Sequence, residues 1–178
     1  GNSLTVRLLD IILTDSNINF IYGNRGLSGI DGNIAIASGI SSTTDLRVVL
    51  DIGDLAFLHD SNSILTARNH AKNLTIIVNN NQGGQVFSLL PQAKNLKNIY
   101  DEWFISEQKN ISIENLVKSY GCKYYLSKNI EDFKNIFDAS KNIEGVKIIE
   151  VKYPKNQYSN LSNIYMNLVK KIEDKIYE

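Results

Sequence analysis

Asp54 and Asn81 are the first residues in this sequence whose types and spacing could do chemistry together. Each follows a buried-looking run: Leu46-Arg-Val-Val-Leu-Asp-Ile52 precedes Gly53-Asp54, and Leu74-Thr-Ile-Ile-Val78 precedes Asn79-Asn-Asn81. A carboxylate oxygen, an amide oxygen, a nearby main-chain carbonyl and a diphosphate together make a hard oxygen cage suited to Mg²⁺. The interval between the two residues has room for one helix and one strand. The two strands could therefore be neighbours, with both side chains facing one point. The competing reading is that Asp54 caps the next helix while the asparagines close a turn. Spacing leaves both open.

Other polar loops occupy similar places. Gly1-Asn-Ser3, Gly23-Asn-Arg-Gly-Leu-Ser-Gly-Ile-Asp-Gly32, Gly53-Asp-Leu55 and Asn79 to Gly84 each stand at an entry to a helical segment. In an open parallel sheet, ligands gather at the carboxyl ends of the strands, where such loops lie. Glycine lets main-chain N–H groups approach an anion, and the helix start beyond adds favourable partial charge. One glycine-rich loop is weak evidence; four that converge are better.

The elements that must position these loops follow from periodicity. Leu4, Leu8, Ile11 and Ile12 recur at helical spacing, with Asn2 or Ser3 placed to cap the first turn. Asn19 to Tyr22 reads as a short strand, Ile34 to Ile40 as a small-residue helix, Leu46 to Ile52 as a buried strand, and Leu55 to Asn69 as one helix. Leu74 to Val78 is the most apolar strand, and Pro91 to Ser106 reads as a long loop with a turn or two of helix. Ser112 caps a helix through Tyr120 that Gly121 stops. Lys123 to Leu126 and Val146 to Val151 are strands, with Ile130 to Ala139 a helix between them and Tyr158 to Tyr177 a closing amphipathic helix. Strands alternating with helices predict an α/β fold, doubly wound, with a mostly parallel sheet covered by helices on both faces.

Composition narrows the class. The 178 residues are 43% apolar and 21% charged, which excludes disorder throughout, and are expected to form one domain over residues 1–178. Nineteen basic residues balance nineteen acidic ones, so no basic excess points to nucleic acid. No apolar run approaches the roughly 18 residues needed to span a bilayer. Cys122 is the one cysteine and reads as a buried structural thiol. Few cysteines and no signal peptide predict a reducing, cytoplasmic setting. His59 and His70 read as partly exposed helix residues rather than acid–base groups. Gly1-Asn-Ser3 resembles a strand-to-helix turn without its strand, and the sole methionine is Met166. The sequence is therefore expected to be the C-terminal part of a longer, multi-domain chain.

Gly53-Asp54 followed by about 27 residues and an asparagine pair resembles the diphosphate-binding signature of thiamine diphosphate (ThDP) enzymes. Gly1-Asn-Ser3 with Arg7, Asn24-Arg-Gly-Leu-Ser-Gly-Ile-Asp-Gly32, Gly53-Asp-Leu55 and Asn80-Asn-Gln-Gly-Gly-Gln-Val-Phe-Ser-Leu-Leu-Pro91 are more specifically similar to the C-terminal ThDP-binding domain of the MenD synthases. The likeness is strong over residues 1–91 and thereafter rests on the α/β rhythm. Leu55 stands where the general ThDP signature has glycine, a departure that fits the MenD pattern.

This resemblance implies a ThDP-dependent transferase of menaquinone or phylloquinone biosynthesis, which decarboxylates 2-oxoglutarate and adds the resulting carbanion to isochorismate. It implies Mg²⁺, with Mn²⁺ as a substitute, held by the side chains of Asp54 and Asn81 and the carbonyl of Gly83. N–H groups near Leu55 and Ala56 would bind phosphate oxygens, and Ile30 would press the cofactor into its bent form. Arg7 and Arg25 match substrate-facing arginines, whose planar guanidinium can grip a carboxylate with two hydrogen bonds. Ser3 would offer a hydroxyl beside them, and Val86, Phe87 and Leu90 an apolar wall. The activating glutamate of such enzymes comes from a pyrimidine-binding domain across a subunit interface. No catalytic residue is thus expected within residues 1–178, which alone should be inactive. A homodimer or homotetramer is implied, located in the cytoplasm or, in a photosynthetic eukaryote, the plastid stroma.

Other classes remain in view at this point. One is the diphosphate-binding half of a different ThDP-dependent 2-oxo acid decarboxylase. Another is a non-catalytic module that binds a phosphorylated ligand without metal, and a third is an oligomerisation scaffold built on Phe87 to Pro91 and Trp103-Phe104.

Overall fold

The computed structural model describes residues 1–12, 20–26, 28–90, 92–95, 97–106, 108–154, 167, 169–171, 174 and 175. The chain divides into two compact units, one of residues 1–80 and 109–152, the other of residues 81–108 and 153–178. In chain order the elements are α1 (Leu4–Ile12), α2 (Asn33–Thr43), β1 (Val48–Gly53), α3 (Asp54–His59), α4 (Ser63–His70), β2 (Asn73–Asn80), α5 (Gln92–Asn95), α6 (Lys97–Tyr100), α7 (Ile113–Ser119), β3 (Lys123–Ser127), α8 (Ile130–Ala139) and β4 (Gly145–Lys152).

The first unit is built on a four-stranded parallel sheet of order β1-β2-β4-β3. Residues alternate faces along a strand, and here the even-numbered ones form the core. Leu50, Ile52, Leu74, Ile76, Val78, Val146 and Ile148 pack in one cluster with Ile34 of α2, Phe57 of α3, Ile64 of α4 and Val117 of α7. The return from β3 to β4 reverses the direction of travel across the sheet, so a right-handed crossover carries α8 to the other face. There the Arg47 guanidinium lies 4.0 Å over the Phe137 ring of α8 and donates to Thr75 Oγ1 of β2 (3.2 Å) and Ser140 Oγ (2.7 Å). The doubly wound α/β fold expected from the alternation of elements is the fold observed.

Several element boundaries differ from expectation. Phe20 to Tyr22 form no strand; all three side chains are exposed, and no described strand pairs with them. The helix expected over Leu55 to Asn69 is two helices broken at residues 60–62, because Asp60 is used elsewhere. Its Oδ2 accepts from the N–H groups of Ile34 (2.6 Å) and Ala35 (3.3 Å), and its Oδ1 accepts from Ser63 Oγ at 2.7 Å. Gly32, at the N-cap of α2 with φ 71°, has no side chain for that task, so a buried carboxylate 26 residues away caps the helix. The 91–106 loop is largely helical where described, with α5, α6 and a π-helical turn at Asp101–Ile105. The cap of α7 is as read: Ser112 Oγ accepts from Asn115 N at 3.2 Å, and Gly121 follows with φ 71°. The closing helix expected from Tyr158 to Tyr177 lies largely outside the described residues.

Cys122 is half-buried against the core, and burial pushes its thiol above the ordinary range despite the opposing charge of Arg68. That suits the structural role expected of it.

Lys147 of β4 is fully buried, with its amine donating to Asn73 Oδ1 and the Ile143 carbonyl, each at 2.5 Å. Burial first, then the charges of Arg47 and Lys123, pull its pKa down to about 8. Between that value and the ordinary 10.5 the unfolded chain binds more protons than the folded one, so stability rises with pH. Below about 8 both states are charged and the cost of burying the ammonium is borne in full. Denaturant titrations at pH 7.5 and 9.5 should show a gain in stability at the higher pH that shrinks in Lys147→Met. Asp60→Ala, which strips the cap of α2, is expected to cost about 2 kcal/mol by urea unfolding.

Candidate functional site

The carboxyl ends of β1 and β2 lie side by side, with Gly53 opposite Asn79 in the parallel ladder. β1 gives way directly to α3, whose first residue is Asp54. Its carboxylate is buried, 6% exposed, and its Oδ1 accepts from Leu55 N at 2.9 Å. Leu55 is half-buried and Ala56 buried in the same first turn. An acid in the first turn of a helix sits where the backbone N–H groups favour negative charge. Asp54 is thus the first residue of α3 rather than its cap, which is Gly53.

The loop that holds Arg25 and Ile30 is tied down at several points. Asn2 Nδ2 donates to the Gly29 carbonyl (2.5 Å), Asn33 Nδ2 to the Ile30 carbonyl (2.9 Å) and Asn24 Nδ2 to Asn33 Oδ1 (3.3 Å). Asn2 therefore does not cap α1: its amide is turned to the loop, and its buried Oδ1 has no hydrogen-bond partner among the described residues. Sequence reading missed this residue's role because the short polar Asn2 looked like a cap. Ile30 is 37% exposed, which removes it from the core of α2's start.

Arg7 and Arg25 come together. Both line one open depression of about 490 Å³, which also carries Asp10 and Ile21. Arg7 Nη1 donates to the Ser3 carbonyl at 2.7 Å, so Ser3, with φ 70°, belongs to the same corner. The structure thus places Arg7 and Arg25 on one depression, with the Ser3 main chain bonded to Arg7. A second depression, about 520 Å³, opens where Asn129 and Asp132 cap α8 and holds none of the expected residues. His59 and His70 are exposed in the last turns of α3 and α4, as read.

In the second unit Asn81 is buried at 7% exposure and begins the turn. Gly83 has φ 124°, and a Cβ there would collide with the backbone carbonyl of Ile105; Gly84 N donates to that same carbonyl. Only glycine fits at 83, and the contact fixes the peptide whose carbonyl was expected to face a metal. Beyond it Val86 is half-buried, while Phe87 and Leu90 are exposed by 42% and 40%. Phe87 stands edge-on to Phe104 at 6.1 Å, and Phe104 stacks on Tyr100 at 5.3 Å.

Residues 11–151 match the family described as thiamine pyrophosphate enzyme, C-terminal TPP binding domain. The chain belongs to this family. It is therefore a ThDP-binding domain of α/β type. It is 34% identical over 169 residues to the 2-succinyl-5-enolpyruvyl-6-hydroxy-3-cyclohexene-1-carboxylate synthase of Desulfitobacterium hafniense, a match covering 94% of this chain and 30% of that protein. It is 37% identical over 153 residues to the synthase of the same name from Bacillus velezensis, covering 85% and 26%. The chain spans less than a third of the length of these curated relatives. Among solved structures it is similar to benzoylformate decarboxylase from Polynucleobacter necessarius, with a TM-score of 0.60 and 18% identity over 69% of this chain and 23% of that one. A putative thiamin diphosphate-dependent enzyme from Mycobacterium smegmatis gives a TM-score of 0.52 at 18% identity, over 68% and 22%. Likeness at that identity concerns the fold of the ThDP-enzyme domain.

Gly83→Ala is expected to destabilise the protein by more than about 2 kcal/mol, through both the backbone angle and the collision with Ile105. Gly26→Ala, where a Cβ meets nothing within 4 Å, should stay within about 0.5 kcal/mol of wild type in the same thermal melts.

Proposed function

We propose that the protein is a ThDP-dependent synthase that decarboxylates 2-oxoglutarate and joins the resulting carbanion to isochorismate, with this chain supplying the diphosphate, metal and part of the substrate site. The observation that carries the proposal is the buried carboxylate of Asp54 at the carboxyl end of β1, the strand paired with the one that leads into Asn81. The curated relatives bearing the synthase name support it.

Asp54 and Asn81 through side-chain oxygens, and Gly83 through its carbonyl, would hold Mg²⁺ or Mn²⁺. All three are hard oxygen donors, the type these ions select. N–H groups of Leu55 and Ala56 in the first turn of α3 would receive phosphate oxygens. When bound, ThDP supplies an electron sink for the carbanion left by loss of CO₂. The chain's own work is to bind, orient and keep water out. Ile30, apolar yet partly exposed, suits contact with the cofactor's rings better than a place in the core.

Both substrates are carboxylates, and Arg7 and Arg25 on one depression provide two guanidiniums to bind them, with Ser3 beside Arg7. Exposed Phe87 and Leu90, with Val86, would shield the reacting carbon. The base-activating glutamate would come from a pyrimidine-binding domain of a partner copy, in a homodimer or homotetramer. Among the described residues no helix is long and apolar enough to cross a membrane.

Titration calorimetry of ThDP into the full-length protein should show binding that requires Mg²⁺ and is lost in Asp54→Ala. Binding indifferent to both would overturn the metal assignment. Given ThDP and Mg²⁺, the full-length enzyme should consume 2-oxoglutarate and isochorismate together, and turnover of a different 2-oxo acid instead would overturn the substrate assignment. Arg25→Ala should raise KM for a carboxylate substrate by roughly tenfold or more, the loss of a charge-assisted hydrogen bond.

A further inference from the structure

The last two residues of β2 are gripped by carboxylates from both neighbouring strands. Asn79 Nδ2 donates to the Asp51 carboxylate of β1, in a short hydrogen bond. Asn80 Nδ2 donates to Glu150 Oε1 of β4 at 2.6 Å. Register places these pairs on opposite faces of the sheet, since Asp51 lies opposite Ile77 and Glu150 opposite Val78. Each carboxylate is thus diagonal to its asparagine, two residues short of it along the ladder, on the same face.

Glu150 is 2% exposed in β4, on the face of Val146 and Ile148. Its second oxygen accepts from the Tyr124 hydroxyl of β3, and Lys152 Nζ stands 3.8 Å from Oε1. Burial and this acceptor hold the Tyr124 hydroxyl well above its ordinary range, so it remains a donor. Burying a carboxylate among apolar side chains costs free energy that a leucine would not. What the carboxylate adds is direction: it accepts from two donors on separate strands and fixes the amide plane of Asn80. On the other face Asp51 accepts from Asn79, whose Nδ2 also lies 3.5 Å from the Ile52 carbonyl.

We propose that Asp51 and Glu150 are positioning residues for the metal-bearing turn: together they lock Asn79 and Asn80 on opposite faces of β2 and so set the backbone path into the next residue, Asn81. The proposal rests on the reading of Asn81 as a Mg²⁺ ligand. Neither acid touches cofactor or substrate; each acts through an asparagine. Groups hydrogen-bonded to a metal ligand commonly change metal affinity 10–100-fold when removed; these acids act one residue further back, so the low end of that range is expected.

The test is calorimetric titration of ThDP into the full-length protein over a series of Mg²⁺ concentrations, with thermal melts alongside. Glu150→Leu should raise the Mg²⁺ concentration for half-maximal binding about tenfold. Glu150→Gln should stay within about threefold, because its amide oxygen still accepts from Asn80 and its NH₂ can face the Tyr124 oxygen. Asn80→Ala breaks the same clamp from its partly exposed end and should match Glu150→Leu, which keeps the question answerable if the buried variant fails to fold. Val117→Ala, a core truncation in α7, should lower the melting temperature and leave the Mg²⁺ midpoint alone. A Mg²⁺ midpoint unchanged in folded Asn80→Ala, or shifted in Glu150→Leu no more than in Val117→Ala, overturns the proposal. Asp54→Ala, run in parallel, separates the two readings. If it abolishes metal-dependent binding while the clamp variants do not shift it, only the positioning role falls; if it has no effect, the metal reading falls and takes the clamp's purpose with it.

Discussion

Parallel pairing of β1 with β2 is the constraint on which the remaining features depend. Six residues of each strand are in register, and the ladder ends with Gly53 beside Asn79. The chain therefore leaves both strands at one level of the sheet. At that level the backbone passes from strand to helix start in one case and from strand to asparagine turn in the other. A one-residue slip would flip every side chain of β2 to the opposite face, carrying Ile76 and Val78 out of the core. The hydrophobic pattern that excludes such a slip is thus also what holds Asp54 and the asparagine run at the sheet's end. Core packing and placement of chemistry are here one requirement.

Polar side chains do unusual amounts of structural work around that end. Asp60 caps a helix 26 residues earlier in the chain, Asn2 is turned to the loop before α2, and Asp51 and Glu150 hold successive asparagines. Each is a buried or half-buried polar group held by a specific partner, although the Asn2 Oδ1 finds none among the described residues. Apolar packing sets the sheet and helices, while these bonds set the direction of the loops. The division explains how one scaffold can hold rigid turns without long stretches of regular structure in them.

Legibility followed the same division. The strands were readable because Leu74 to Val78 and Val146 to Val151 are short runs rich in Val and Ile, the mark of a strand buried on both faces, even with Thr75, Lys147 and Glu150 inside them. The helix from Ile130 to Ala139 and the Ser112 cap were readable because their signals are local. The break at residues 60–62 was not, since Asp60 obeys a demand made by α2, far away in sequence. Nor was the exposed path of Phe20 to Tyr22, where three large apolar residues look like a strand but find no partner strand among the described residues. For the site, the residue types and spacing of Asp54 and Asn81 were visible, as were Arg7 and Arg25. The meeting of Arg7 and Arg25 at one depression was not, because it depends on how α1 and the glycine loop fold back. Glu150 carried a signal that could have been followed: a lone acid inside an apolar strand.

The tethering of Asn24, Gly29, Ile30 and Ile34 has a thermodynamic consequence. Asn2 holds the Gly29 carbonyl, Asn33 holds that of Ile30, and Asp60 holds the N–H of Ile34 before any ligand arrives. Association with a mobile loop must include the entropy of ordering it, at about 1–2 kcal/mol for each residue fixed. Here the ordering of Gly29, Ile30 and Ile34 is completed during folding. Were the proposed cofactor or substrate to seat on this loop, little loop-ordering entropy would remain to be overcome, and binding would be close to lock-and-key.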